Sequence, residues 1–362
     1  MAPNTLTFIT LIGASTAIFA SSIGLFQYDL KKVIAYSTCS QLGYMCFTCG
    51  ISQYHAAIFH LINHAFFKAL LFLTAGVVIH ALSGEQDMRR MGGLVAILPV
   101  TYNALLLGSL ALMGFPFLSG FYSKDFILEL SCSIHKFDSQ AAFWLGSIAA
   151  YFTAFYSYRL LYLAFYSPSR SFFFYLRQVH ELPPVMFFIL NSLLIGTLFF
   201  GFFGKELFIG LGSCFFGNSL YHNPLTFAMF DFEFLSIFIK NIPSLFTFLG
   251  VFSGYISYSL VSRCYQYNSS VIILFKFFNN KWFFDHVYNR YVGYPILQLG
   301  YTYTYRFFDK GFLEIFGAFG LTCTIQRFVR FFKLIHNGSI YQYQLFMGIS
   351  LLFLFFLGLS FF

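Results

Sequence analysis

The chain has 362 residues, 58% of them hydrophobic and only 9% charged, with a formal net charge of +8 at pH 7. A water-soluble domain carries about 25% charged residues, so this chain cannot clothe a surface of its size for water. A soluble enzyme is excluded, and membrane composition accounts for the basic balance without a nucleic-acid partner.

In lipid the backbone must satisfy its own hydrogen bonds. The apolar runs are continuous rather than alternating, so the expected class is an all-α polytopic membrane protein and not a barrel. A spanning helix needs about 20 apolar residues. The runs that qualify are Leu6–Gln27, Val33–Cys49, Tyr54–Leu82, Leu98–Cys132, Ala141–Tyr166, Val185–Phe203, Phe234–Val261 and Leu345–Phe362, about eight spans. Met1 to Asn4 leads almost directly into the first, with no cleavable signal or Arg-rich transit peptide. Phe (56) and Tyr (25) are in excess, as the T-rich codons of a mitochondrial genome would produce.

The fourth run is too long for one plain helix. It contains Gly114, Pro116 and Gly120, and proline both lacks an N–H and clashes with the preceding turn. A helix broken mid-membrane around Gly114–Gly120 is expected, and such breaks commonly mark ion sites in transporters. Counting connections alternately, one face receives Lys31, Lys32, Arg89, Arg90, Arg170 and Arg177, and the other Lys136 and Lys205. The first face is the cytoplasmic equivalent, the matrix in a mitochondrion. Residues 263–344 lie on that face and are less apolar. Between 305 and 336, charges interleave with Phe307, Phe308, Leu313, Phe316, Phe328, Phe331 and Phe332, which predicts a long amphipathic helix lying in the interface. Lys310 and Glu314 are spaced to pair, Gly311, Gly317 and Gly320 are spaced to kink it, and a solvated loop is the alternative.

Three clusters carry chemistry. His60, His64 and Lys68, in FHLINHAFFKALL, stand at i, i+4 and i+8 on one helical stripe, about 6 Å apart along the axis. Ionisable groups inside a span mark proton or ion paths, and histidine exchanges protons near neutral pH. Structural hydrogen bonding and an HxxxH metal site are the other readings, but no third ligand stands nearby. Lys124 and Asp125, in GFPFLSGFYSKDFILE, follow the break. Lys124 is either a buried protonation switch or a lysine snorkelling to the interface, and Asp125 is placed to pair with it or to face a neighbouring subunit. In DLKKVIAYSTCSQ, Lys31 and Lys32 open the second span while Ser37, Thr38, Ser40 and Gln41 lie deeper, for proton entry or for helix packing alone. The loop EQDMRRMGG reads as surface ion pairs and a topology signal. Cys39, Cys46, Cys49, Cys132, Cys214, Cys264 and Cys323 are scattered, and the CxxC of Cys46 and Cys49 reads as buried thiols rather than a redox or metal site. No Fe–S framework, haem motif or phosphate-cradling loop is present.

DLKKVIAYSTCSQLGYM, FHLINHAFFKALLFLTAG, EQDMRRMGG and GFPFLSGFYSKD resemble the proton-conducting family shared by respiratory complex I and the Mrp-type antiporters. EQDMRRMGGL, FYSKD and the amphipathic C-terminal stretch point within it to the largest antiporter-like subunit of the mitochondrial complex. The resemblance implies that His60, His64 and Lys68 belong to a central hydrophilic axis, and that Lys124 sits on a broken helix near the outlet. It implies that Lys31 or Lys32 matches a basic position in the helix before the histidine helix, and that residues from about 280 to 336 form a lateral helix along neighbouring subunits.

The same resemblance predicts a second five-helix antiporter-like repeat, a proton half-channel, over 1–166. Additional spans follow over 167–262, then a lateral region over 263–344 and an anchor over 345–362. Family members have two inverted repeats, and the first is not in this sequence. The expectation is therefore the C-terminal half of a split subunit, partnered by an N-terminal half, by other antiporter-like and accessory complex I subunits through the lateral helix, and by membrane lipids. The implied role is proton translocation across the mitochondrial inner membrane, coupled to NADH oxidation by ubiquinone, with no redox chemistry in this chain. NADH, FMN, Fe–S clusters and ubiquinone are expected elsewhere in the complex, no cofactor or metal in this chain, and phospholipid at its surface. A Na+/H+ antiporter subunit and a structural clamp of the membrane arm are the rival functions.

Overall fold

A computed structural model describes residues 2–170, 183–210, 213, 215–217, 219–220, 231–260 and 269–359. Among them the chain is helical, with one isolated bridge and no strand. The chain is an all-α polytopic membrane protein. Arg177, Arg263, Cys214, Cys264, Val261 and residues 360–362, invoked above, lie outside the described residues.

The expected spans appear in order: α1 (Pro3–Gly24), α2 (Leu30–Gly50), α3 (Tyr54–Ala81), α4 (Pro99–Met113), α5 (Ser119–Ser133), α6 (Phe137–Leu161), α7 (Pro184–Phe208) and α8 (Ile237–Tyr255). A short helix, α9 (Ser269–Asn279), follows. α6 and α8 each run on into a π turn, Tyr162–Tyr166 and Ile256–Leu260. α4 and α5 are the broken fourth span. α4 ends where Gly114 takes a left-handed φ of +87°, and Phe117 takes +71° before α5 begins at Ser119. α1, α3, α7 and α8 are long and apolar enough to cross a membrane. α2 and α6 have 21 and 25 residues, enough length to cross, but they bury serines, a threonine, a glutamine or an arginine and are correspondingly less apolar.

Met1–Trp282 forms one compact unit. Its closest pairing is α1 on α2. A Cβ on Gly13 would stand 2.4 Å from the Phe47 N, and one on Gly43 2.7 Å from the Ala17 N. Small residues let helices approach to backbone contact in lipid, where dispersion rather than water release drives association. α6 packs on α1, α2, α4, α5 and α8, so it forms the centre of the unit.

The loop after α3 is stitched to the turn before α2. The Leu30 N–H donates to the Gln86 carbonyl at 3.0 Å, and the Met88 N–H to the Tyr28 carbonyl at 3.0 Å. The surface ion pairs expected here are present, Arg89 to Asp87 at 2.6 Å and Arg90 to Glu85 at 3.0 Å. Arg89 holds the Asp87 carboxyl below the usual carboxylate range. A depressed folded-state value stabilises the loop above the unfolded value of about 3.9 and loses that contribution as pH falls through the folded value. The protection factors of the 85–93 amides, which are exchange rates corrected for intrinsic pH dependence, should therefore be high and flat from pH 7 to about 4 and fall below it. Asp87→Asn should show the faster exchange already at pH 7, and an unchanged rate would refute the assignment.

Phe283–Phe362 forms a second unit. It begins as a helical run from Phe284 to Phe316 built from α and π turns, breaks at Gly317 (φ −88°, ψ −151°), and continues as α10 (Ala318–Ile335) and α11 (Ile340–Leu359). The apolar helical stretch Lys281–Ile335 is 55 residues long. At 1.5 Å per residue that is roughly 80 Å, far beyond a bilayer core of about 30 Å, so it is not one straight span. The kink falls at Gly317, as its glycine predicted. The expected Lys310–Glu314 ion pair is not formed: Lys310 hydrogen-bonds the Tyr305 phenol, five residues back. The reason is local, because residues 300–313 wind as π turns and bring i and i+5 together where an α-helix would bring i and i+4.

Candidate functional site

The polar residues of the first unit converge where α2, α3, α5 and α6 meet. On α3, His60 is fully buried and its ring centroid lies 6.2 Å from that of His64, close to the spacing a helical stripe dictates. His60 Nδ1 is 2.9 Å from Ser123 Oγ on α5, and its Nε2 is 3.1 Å from Gln41 Oε1 on α2. With that amide orientation, Nε2 donates to Gln41, and Nδ1 shares a hydrogen bond with Ser123, whose hydroxyl also reaches the Ser119 carbonyl at 3.2 Å. His60 thus ties three helices through one imidazole. His64 Nε2 is buried without a hydrogen-bond partner.

Lys68 is 5% exposed and does not reach back to His64. Its ammonium donates to the Ile34 carbonyl at 2.7 Å and to Ser37 Oγ at 2.5 Å, both on α2. Lys124, on α5, is 1% exposed, so its ammonium is buried rather than carried to a surface. It donates to the Met113 carbonyl at 3.2 Å and to Thr153 Oγ1 on α6 at 3.0 Å, and it sits 5.7 Å from the Tyr44 ring centre. Met113 is the last residue of α4. Its carbonyl is free because the helix stops there and no N–H four residues on takes it. The break therefore creates the acceptor that holds the lysine. Gly114 lies against both side chains of the pair, a Cβ there falling 3.5 Å from Asp125 Oδ1 and 3.8 Å from Lys124 Cδ. Asp125 is 4% exposed, forms no ion pair with Lys124, and leaves Oδ1 without a hydrogen bond.

Of the residues singled out in the sequence, His60, His64, Lys68, Lys124, Asp125, Ser37, Ser40 and Gln41 come together. Lys31 and Lys32 do not. They occupy the first turn of α2 on its outward side, both exposed, and Lys32 is bonded to Asp29 at 2.5 Å. Thr38 turns away and bonds its own helix at the Ala35 carbonyl. Cys46 is exposed and Cys49 half-buried, contrary to the expectation of buried thiols for the CxxC.

Other members were missed. Thr153, Tyr44 and Tyr156 carry no signal in an aromatic-rich span. Arg159 and Glu129 did: both are ionisable residues within a predicted span. Arg159 is 1% exposed, donates from Nη1 to the Leu25 carbonyl just beyond the end of α1, and stands 5.3 Å from the Tyr28 ring. Glu129 lies one turn beyond Asp125 on α5, with Lys240 and Lys205 the main opposite charges acting on it. Among the described residues, no group of three or more His, Cys, Asp or Glu is placed to hold a metal ion.

One buried lysine on the histidine stripe and a second at the broken helix thus make up the site. Residues 1–153 match the family described as NADH:quinone oxidoreductase/Mrp antiporter, transmembrane, and residues 207–358 match NADH dehydrogenase subunit 5 C-terminus. The chain belongs to this antiporter-like membrane family. It is similar to NADH-ubiquinone oxidoreductase chain 5 of Phytophthora infestans, 48% identical over 349 residues, covering 95% of this chain and 52% of the relative. The chain 5 of Marchantia polymorpha is 47% identical over 353 residues (96% and 53%), and that of Arabidopsis thaliana 46% over 361 residues (98% and 54%). The chain thus spans about half the length of the curated relatives it matches.

Proposed function

We propose that this chain carries one proton half-channel of a complex I membrane arm, translocating protons across the mitochondrial inner membrane while NADH is oxidised by ubiquinone elsewhere in the complex. The observation that carries the reading is the arrangement of two buried lysines that form no ion pair among the described residues, Lys68 and Lys124, at the ends of a polar axis through His64, His60, Gln41 and Ser123. A scaffold would be better served by apolar residues there, because a charge in a span costs several kcal/mol (about 2.5–3.5 on insertion scales) and is kept where it works. Each lysine is held by a carbonyl and a hydroxyl, partners that bind the ammonium but cannot keep a proton from it at neutral pH. A proton that leaves must therefore end on an imidazole, carboxylate, amine or water, reached directly or relayed by a hydroxyl that gives up its own as it accepts. Lys31 and Lys32 serve as the basic entry surface, and Asp125 and Glu129 as carboxylates beyond Lys124.

The other repeat, whichever polypeptide carries it, completes the channel, and neighbouring antiporter-like and accessory subunits line the lateral helix. The test is proton movement by membranes containing the assembled complex. The expected result is a ΔpH that follows NADH oxidation and does not depend on sodium, with the NADH dehydrogenase module co-migrating on native gels. A sodium-dependent ΔpH without that module would replace this reading with the antiporter.

The amphipathic stretch lies along the basic face in this reading. Single cysteines at Arg327 and Arg330 should be labelled by a membrane-impermeant thiol reagent from the matrix side. Labelling of both from the opposite side would overturn it.

A further inference from the structure

The histidine stripe is not the only polar connection between the two lysines. Lys68 donates to Ser37, and Lys124 donates to Thr153. Ser37 and Ser40 lie on one face of α2, and Thr153 and Tyr156, three apart, on one face of α6. The Tyr156 phenol stands beside Ser40 and Ser37. It is 1% exposed, yet its oxygen makes no hydrogen bond of ordinary length. Buried hydroxyls are normally satisfied, and one that is not deserves a reason. Here the unmatched phenol stands beside the hydroxyl that holds Lys68, on a residue one helical turn from the hydroxyl that holds Lys124. Tyr44, further along the same α2 face, is within electrostatic reach of both Tyr156 and Asp125, so the seam continues to the Lys124 end.

We infer that Tyr156 links Lys68 to Lys124 by a second proton route, running through Ser37, Ser40, Tyr156 and Thr153 in parallel with His64 and His60. The inference rests on the proton-translocating reading above. Each step moves one proton and leaves the hydroxyls unchanged. The Lys68 ammonium gives a proton to Ser37 Oγ as Ser37 gives its own to the phenol oxygen, directly or through Ser40; the phenol gives its proton to Thr153 Oγ1, and Thr153 gives its own to Lys124 Nζ. The donor is then neutral Lys68, the terminal acceptor is neutral Lys124, now protonated, and rotation of each hydroxyl resets the chain. A hydroxyl both donates and accepts, so no tyrosinate or alkoxide need form. One ordered water spans any gap longer than a hydrogen bond. The serines and Thr153 presently donate to carbonyls of their own helices, bonds a hydroxyl can exchange by rotation, whereas the phenol has none to break.

Parallel and serial routes are told apart by a double-mutant cycle on the assembled complex, read as ΔpH formed per NADH oxidised. Tyr156→Phe keeps the ring that packs against Gly24 and removes only the hydroxyl. Tyr156→Phe and His64→Ala singly should each leave substantial pumping, because the other route remains. The double variant should fall about fivefold or more below the product of the two single effects. A double variant no worse than His64→Ala alone overturns the inference, since Tyr156 is then idle or in series. Tyr156→Phe abolishing pumping by itself also overturns it, because the step is then obligatory rather than parallel. Native-gel abundance must equal wild type, and Tyr156→Trp, which disturbs packing without restoring a hydroxyl in place, separates a packing defect: assembly should drop in Trp and not in Phe. If Lys124→Ala also pumps normally, the proton-channel reading itself has failed, a result distinct from failure of the second route alone.

Discussion

Replacing Lys124 by Ala is expected to cut proton pumping about a hundredfold, the scale lost when a positioned proton-transfer group is removed. The complex should still assemble. The substitution leaves the Met113 carbonyl and the Thr153 hydroxyl short of one donor, a cost of about 1–3 kcal/mol each at most, and at the same time removes a buried ammonium that forms no direct ion pair with Asp125. The two effects oppose each other, so native-gel abundance should stay near wild type while ΔpH per NADH oxidised collapses. Lys124→Arg should assemble and fail to pump, because guanidinium does not release its proton in proteins. Loss of pumping in Ala with full activity in Arg would mean that Lys124 supplies a fixed charge rather than a moving proton. Wild-type pumping in both would leave this half of the channel as scaffold.

The second large effect is structural and falls at the break. Gly120→Ala would place a Cβ 1.7 Å from the Ala111 carbonyl oxygen and 2.8 Å from its carbon. Those are backbone atoms of α4 and cannot swing aside as a side-chain tip would. α4 and α5 must part, and with them the Met113 carbonyl that holds Lys124. A cost of about 4 kcal/mol or more is expected, in the range seen only when a named packing feature is broken. The readout is abundance of assembled complex, which should fall severely. Gly76→Ala is the control, since a Cβ there meets nothing within 4 Å and alanine favours a helix over glycine by about 1 kcal/mol. Equal loss in both variants would show that glycine content, not the α4–α5 approach, is at issue.

Much of this architecture was legible from the order of residues. Span lengths follow from bilayer thickness and backbone satisfaction, which are local properties, so α1, α3, α6, α7, α8 and α11 fall within a few residues of where hydropathy puts them. The break at Gly114 was legible for the same reason, glycine and proline being backbone instructions that need no neighbour. So was the histidine stripe, because a helix converts the spacing of His60 and His64 directly into a distance. The Lys310–Glu314 pair was misread, since an i,i+4 rule presumes an α turn and the segment winds as π turns.

Other partners came from distant segments and were not legible. Lys68 could be placed on the stripe but not its ligand, because Ser37 reaches it only through α2 packing on α3. Lys31 and Lys32 sit in the same quoted segment as Ser37 and Gln41, yet the pitch of α2 turns the two lysines outward and the serines inward. Thr153 and Tyr156 lie in a span whose composition gives no reason to choose them, and they matter because α6 runs through the centre of the unit. The sequence by itself determined that this is a membrane chain, where its helices run and which ionisable groups are carried inside them, since those depend on hydrophobicity and helical period along one segment. Only the tertiary structure decided that the end of α4 binds Lys124 and that α2 binds Lys68, because a hydrogen bond is settled over about 3 Å between helices far apart in the chain.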